Sequence, residues 1–118
     1  TYFKIPKEFI EDAIKGSVHC TEELGLPVDT LNMFLSDNFE DSPTMRKYIY
    51  CLGLAVDVSE EDGSLKHSLS KYANNDKRKA EVIQRVDECN KQEANDKYEK
   101  VYKVSTCYLN TSSVQFKV

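Results

Sequence analysis

The chain has 118 residues, 40% of them apolar and 31% charged, and a net charge of −4. That length suits one domain able to bury roughly two thirds of its unfolded surface. The acidic balance and scattered lysines exclude a nucleic-acid partner, which demands a basic face, and no apolar run approaches the roughly 20 residues of a membrane span, which excludes insertion.

Residues 4–24 are predicted as a first helix, with Pro6 near its start and Phe9, Ile10, Ala13, Ile14 and Val18 along one side. Gly16 weakens it, and Gly25 and Pro27 end it. Residues 28–35 give a short second helix carrying Leu31, Met33, Phe34 and Leu35. The polar stretch 36–41 is a loop. Ser42 as N-cap and Pro43 at the first helical position then open a central helix over 43–56. Its apolar positions, Met45, Tyr48, Ile49, Leu52, Ala55 and Val56, follow the three-and-four spacing of one continuous stripe.

The acidic segment after Val56 turns at Asp62-Gly63, because glycine adopts positive φ freely. A calcium loop is excluded by register: with Gly63 in sixth place the first ligand would be Val58 and the twelfth Leu69. Leu65, Leu69 and Tyr72 predict a short fourth helix ended by Asn74-Asn75. Residues 76–90 form a fifth, with Val82, Ile83 and Val86 inward and Glu81 spaced to pair with Arg85. Asn95 caps a sixth over 96–109, where Glu99 and Lys103 pair and Tyr98, Val101, Tyr102, Val104, Tyr108 and Leu109 are apolar. Beyond it Val114, Phe116 and Val118 alternate with polar residues, as in an extended tail lying along the body. No strand is required. The fold class is therefore all-α, a single domain over 1–118.

Four cysteines, at 20, 51, 89 and 107, are even in number, widely spaced and free of any C-x-x-C pair. Two disulfides explain this better than zinc, whose sites bring ligands in close pairs, or than buried free thiols. Disulfides imply an oxidising, extracellular compartment, and the start at Thr1 without an initiator methionine suits a mature secreted chain. Four cysteines allow three pairings, of which helix order favours Cys20 with Cys51 and Cys89 with Cys107. Loops of about 30 and 20 residues would each add roughly 3–4 kcal/mol on the chain-entropy account.

Catalysis finds no support: there is no Gly-rich phosphate loop, no Gly-flanked nucleophilic serine, no His-rich metal motif, and the thiols are committed. The chain is predicted not to be an enzyme and to need no cofactor or metal. His19 and His67 read as solvated side chains, and Asn110-Thr111-Ser112 as a glycosylation sequon at a helix end.

An all-helical secreted chain of this length, its third helix tied to its first and its sixth to its fifth, resembles the insect odorant-binding proteins. The usual six-cysteine pattern leaves three residues between the second and third cysteines and eight between the fifth and sixth. Those counts put the missing pair at Lys47 and Tyr98, which would have bonded each other, so the chain is similar to the four-cysteine Minus-C branch. The Asp62-Gly63-Ser64-Leu65 turn also matches, and the resemblance spans residues 3–109.

The resemblance implies a helical shell around an enclosed apolar cavity that carries odorants, pheromones or similar molecules through aqueous fluid. Offsets from the cysteines place its ligand-binding positions at Ala13, Met33, Phe34, Ile49, Gly53, Val58, Leu65, Tyr72, Ile83, Val86, Val104 and Tyr108, with Phe116 closing the mouth as a lid. Implied partners are a small hydrophobic molecule and, indirectly, a membrane receptor, with the carrier a monomer or weak homodimer. Two other readings stand beside the olfactory one. A haemolymph, reproductive or salivary carrier would take fatty acids, eicosanoids or amines. A helical interaction protein would have a solid core and an exposed apolar stripe instead of a cavity.

Overall fold

The computed structural model describes residues 1–117; Val118, the last position of the alternating tail, lies outside them. Helix α1 spans Lys7–Leu24 and ends at Gly25, whose φ of 67° completes a left-handed cap. It starts later than predicted because Pro6 is extended, and Tyr2–Lys4 before it form a strand, β1. The helix buries Ala13, Ser17, Cys20 and Thr21, while Ile14 and Val18 stay 50% and 48% exposed. The expected stripe is thus corrected: the neighbouring helix rests on the small residues, and Gly16 lets Ala55 and Leu52 come close. Ile14 and Val18, about 100° and 140° further round, fall outside that contact.

Helix α2, Thr30–Leu35, buries Thr30 and Leu31. Helix α3, Pro43–Ala55, begins as predicted, with the Ser42 hydroxyl accepting from the Met45 N–H at 3.0 Å and proline in the first turn. Three consecutive residues, Tyr48, Ile49 and Tyr50, are buried, because α3 lies between α1 and the last helix. Tyr48 is fully enclosed, its hydroxyl 2.7 Å from that of Ser17, and burial pushes its phenol above the ordinary range.

In the following turn Asp62 accepts from the Ser64 N–H at 2.9 Å and Gly63 adopts φ 95°. A Cβ at Gly63 would sit 2.8 Å from Lys100 Cβ and 2.9 Å from the Val101 nitrogen of the last helix, and would also meet the Lys97 carbonyl. Gly63→Ala should therefore cost about 2 kcal/mol or more through combined backbone strain and overlap. Urea denaturation checks this, and an unchanged midpoint would contradict the tight approach.

The predicted fourth helix is a 3-10 helix over His67–Tyr72, with Leu65 held before it in a bridge to Ser59. Helix α4, Asp76–Asn90, is capped by Asn75, which accepts from the Arg78 N–H at 2.9 Å. Glu81 pairs with Arg78 at 2.8 Å instead of the expected Arg85, since three residues along a helix brings the two side chains as near as four does. Helix α5, Lys97–Thr111, carries the expected Glu99–Lys103 pair at 2.9 Å. Its cap is Asp96, accepting from the Glu99 N–H at 2.8 Å; Asn95 lies one residue too early and offers its amide to the Glu99 carboxylate.

The tail Gln115–Lys117 is a second strand, β2, paired in parallel with β1 so that Phe3 faces Phe116. The expectation of no strands is corrected by this two-stranded sheet, whose ladder continues through Gln115 N–H to Thr1 O at 2.8 Å and Ile5 N–H to Lys117 O at 2.7 Å. Two cores result. One gathers Ala13, Leu31, Met45, Tyr48, Ile49, Leu52 and Val101 around the Cys20–Cys51 bridge, Cα atoms 6.0 Å apart. The other gathers Leu65, Ala73, Val82, Val86, Val104, Tyr108 and Val114 around Cys89–Cys107, Cα atoms 5.7 Å apart. Both bridges follow helix order, and no helix among the described residues is long and apolar enough to cross a membrane.

Surface ion pairs hold several carboxylates below their ordinary range: Asp41 through Arg46, Asp57 through Lys66, Glu81 through Arg78 and Glu99 through Lys103. Asp62 is lowered chiefly by the Ser64 N–H. Each folded value lies below the unfolded one, so the stability these groups add is complete above the unfolded range near pH 4 and lost as pH falls through the folded values. The melting temperature should accordingly drop below about pH 4, by an amount that added salt reduces. A melting temperature independent of pH down to about pH 2 would contradict these pairings.

Candidate functional site: an apolar cleft beneath the tail

Where the two cores meet, a cleft of about 170 Å³ opens under the C-terminal tail. Its wall comprises Phe34 from α2, Leu65 and Leu69 from the 3-10 region, Ser105, Tyr108 and Leu109 from α5, and Gln115 and Phe116 from β2. Four parts of the chain therefore converge, and each contributes what its local structure exposes on that side. Ser105, Tyr108 and Leu109 stand three and four residues apart along α5, so they share one face.

The tail is fixed in this wall by named contacts. The Tyr108 hydroxyl donates to the Val114 carbonyl at 2.9 Å, and Val114 itself is fully buried in the second core. Burial pushes the Tyr108 phenol up, against a smaller lowering by the Ser112 hydroxyl. Phe116 meets Tyr72 edge-on at 6.2 Å between centroids and Phe3 at 6.4 Å, while Tyr72 in turn meets Phe9 at 5.0 Å. A chain of four aromatic rings thus links α1, the 3-10 helix, β2 and β1.

Of the thirteen residues expected around a ligand, Phe34, Leu65, Tyr108 and Phe116 line the cleft. Tyr72 stands behind Phe116. Val86 and Val104 are fully enclosed in the second core, and Ile83 is half-buried on α4. Ala13 and Ile49 belong to the first core. Gly53 is packed against the Ser59 side chain, Val58 is half-buried in the loop after α3, and Met33 is 38% exposed on α2. Leu69, Leu109, Ser105 and Gln115 were not anticipated. The spacing Leu65, Leu69 and Tyr108, Leu109 pointed to the two leucines; nothing in the sequence distinguishes the serine or the glutamine.

Larger surface hollows exist, but charged side chains line them. One of about 450 Å³ between α1 and α3 includes His19, Glu23 and Lys47, and one of about 440 Å³ at the start of α3 includes Asp41, Arg46 and Asp96. His19, Glu23 and Cys51 lie within 4.8 Å of one another, yet the Cys51 sulfur is bonded to Cys20 and is no thiolate, leaving an exposed His19–Glu23 pair at 3.2 Å.

At the two positions that the resemblance assigns to absent cysteines, the Lys47 ammonium stands 5.6 Å from the Tyr98 ring centroid. Tyr98 meets Tyr50 edge-on at 5.3 Å, and Lys97 lies over both rings, at 5.3 Å and 4.8 Å. The α3–α5 junction is therefore held by rings and cations.

Residues 4–111 match the PBP/GOBP family. Among solved structures, Odorant Binding Protein 7 from Anopheles gambiae, which has four disulfide bridges and was solved with an azo compound, shares 28% identity over 90% of this chain and 87% of its own, with a TM-score of 0.67. Odorant-binding protein OBP28a from Drosophila melanogaster has 16% identity, coverage of 88% and 92%, and a TM-score of 0.72. The fatty acid binding protein OBP56a from the oral disk of the blowfly Phormia regina has 11% identity, coverage of 90% and 93%, and a TM-score of 0.71; at such identity the likeness is one of fold. A comparison with curated protein sequences finds no significant match. The chain belongs to the PBP/GOBP family of insect odorant-binding proteins, a family of hydrophobic-ligand carriers, and its two bridges fit the four-cysteine Minus-C branch.

Proposed function

We propose that this chain is a secreted carrier that takes a small hydrophobic molecule into the cleft beneath its tail, shelters it from water and releases it intact, with no chemical step. The observation that carries this reading is the wall itself: six of its eight side chains are aromatic or leucine, none is charged, and the strapped tail supplies Gln115 and Phe116. Apolar ligand surface entering such a cleft gains roughly 25 cal/mol per Å², less the freedom the ligand gives up. The ligand-binding residues in this reading are Phe34, Leu65, Leu69, Tyr108, Leu109 and Phe116, and the remaining anticipated positions support them from the cores. Ligands larger than the cleft require the tail to lift.

The reading tests directly. Calorimetry or ligand-observed NMR with neutral alcohols, esters and aromatics should show saturable, one-to-one binding by the monomer. Absence of saturation up to about 1 mM, where binding is worth only ~4 kcal/mol, would overturn the carrier reading and leave the interaction-protein alternative, for which exposed Ile14 and Val18 are the stripe.

A further inference from the structure

The chemistry of the cleft wall narrows the ligand class, and this step rests on the carrier reading above. The volume of about 170 Å³ is close to the roughly 150 Å³ that holds benzene in an engineered apolar cavity. No Lys, Arg, His, Asp or Glu lines it. A carboxylate or ammonium entering would leave water with no counter-charge on arrival, a heavy penalty, whereas a single neutral polar group needs only hydrogen-bond partners.

The wall offers two such partners. The proton of the Tyr108 hydroxyl is already given to the Val114 carbonyl. Gln115 donates through Nε2 to the Leu109 carbonyl at 3.1 Å and the Ser112 carbonyl at 3.0 Å. Both of those partners can only accept, so the amide orientation is fixed, and Gln115 Oε1 is an acceptor with no donor among the described residues. Ser105 Oγ likewise has no hydrogen bond among the described residues. Its neighbour Thr106 shows the usual helical alternative, donating back to the Tyr102 carbonyl at 2.8 Å.

We propose that the cleft selects neutral, monohydroxylated molecules of about six to eight heavy atoms, with the Ser105 hydroxyl donating to the ligand oxygen and Gln115 Oε1 accepting the ligand proton. A carboxylate would repel Gln115 Oε1, and an ammonium would meet neutral acceptors but no counter-charge.

Four probes on one scaffold separate the possibilities: toluene, benzyl alcohol, benzoate and benzylammonium, titrated into the wild-type chain and into Ser105→Ala at neutral pH. Alanine suits the interior of α5, so the variant should fold, and near-UV and far-UV circular dichroism confirm it. Benzyl alcohol should bind wild type about fivefold more tightly than toluene and at least about tenfold more tightly than either ion. Ser105→Ala should weaken benzyl alcohol about fivefold and leave toluene unchanged. Equal binding of toluene and benzyl alcohol, or benzyl alcohol indifferent to Ser105→Ala, would overturn the hydroxyl assignment while the carrier reading stands. Benzoate or benzylammonium binding as tightly as benzyl alcohol would overturn the selection for neutral ligands. Failure of all four to bind would remove both readings.

Discussion

Changing Lys47 and Tyr98 together to cysteine should close a third disulfide spontaneously in an oxidising medium and raise the melting temperature. The two side chains already meet across α3 and α5, with the Lys47 ammonium 5.6 Å from the Tyr98 ring centroid. A bridge there would close a loop of about 50 residues, for which the entropic account gives roughly 4 kcal/mol. The substitution also removes the Tyr98 ring from Tyr50, Lys47 and Lys97, contacts of about 0.5–1.5 kcal/mol each. Those three contacts together come to about 3 kcal/mol, which leaves an expected net stabilisation of about 1 kcal/mol, or ~4 °C. Because α5 carries Ser105, Tyr108 and Leu109 of the cleft, fixing it to α3 should also weaken binding of ligands that need the cleft to widen. Non-reducing mass spectrometry reads the first step. Introduced cysteines that stay as thiols, or that exchange with Cys51 or Cys89, would contradict the assignment of these two positions.

The second large effect concerns release. Phe116→Ala should speed dissociation of a bound neutral aromatic about tenfold while leaving helical content intact. Its ring forms part of the cleft wall and rests on Tyr72 and Phe3, so its loss opens the mouth, whereas the backbone pairing of β2 with β1 survives. Removing the whole tail from Ser113 would be a poorer test, since Val114 is fully buried in the second core and its loss would cost a further ~2 kcal/mol or more. Stopped-flow competition measures the rate. An unchanged dissociation rate would show that ligand leaves by another route.

The helices were legible because their stop and start chemistry is local. Ser42-Pro43 and Gly25 mark ends that any reading of the sequence finds, and the two bridges follow from helix order. The β1–β2 pair was not, because the alternation at Val114 and Phe116 marked only an extended tail, its partner Tyr2–Lys4 lies more than a hundred residues away, and parallel pairing leaves no turn to announce it. The stripe on α1 misled for a different reason. Its partner helix packs on Ala13, Ser17 and Gly16, so close approach overrode hydrophobicity and left Ile14 and Val18 outside. In the cleft the apolar members were partly visible. Ser105 and Gln115 were not, since a lone polar residue on an amphipathic helix or an alternating tail reads as a solvent-facing position.

The location of binding is the claim on which the rest depends. Methyl-resolved NMR of the chain titrated with benzyl alcohol measures it, because leucines lie both in the cleft and in the hollow between α1 and α3. Saturable shifts should concentrate on Leu65, Leu69 and Leu109, with Leu24 and Leu54 undisturbed. Shifts centred instead on Leu24 and Leu54, with the three cleft leucines unmoved, would contradict the account.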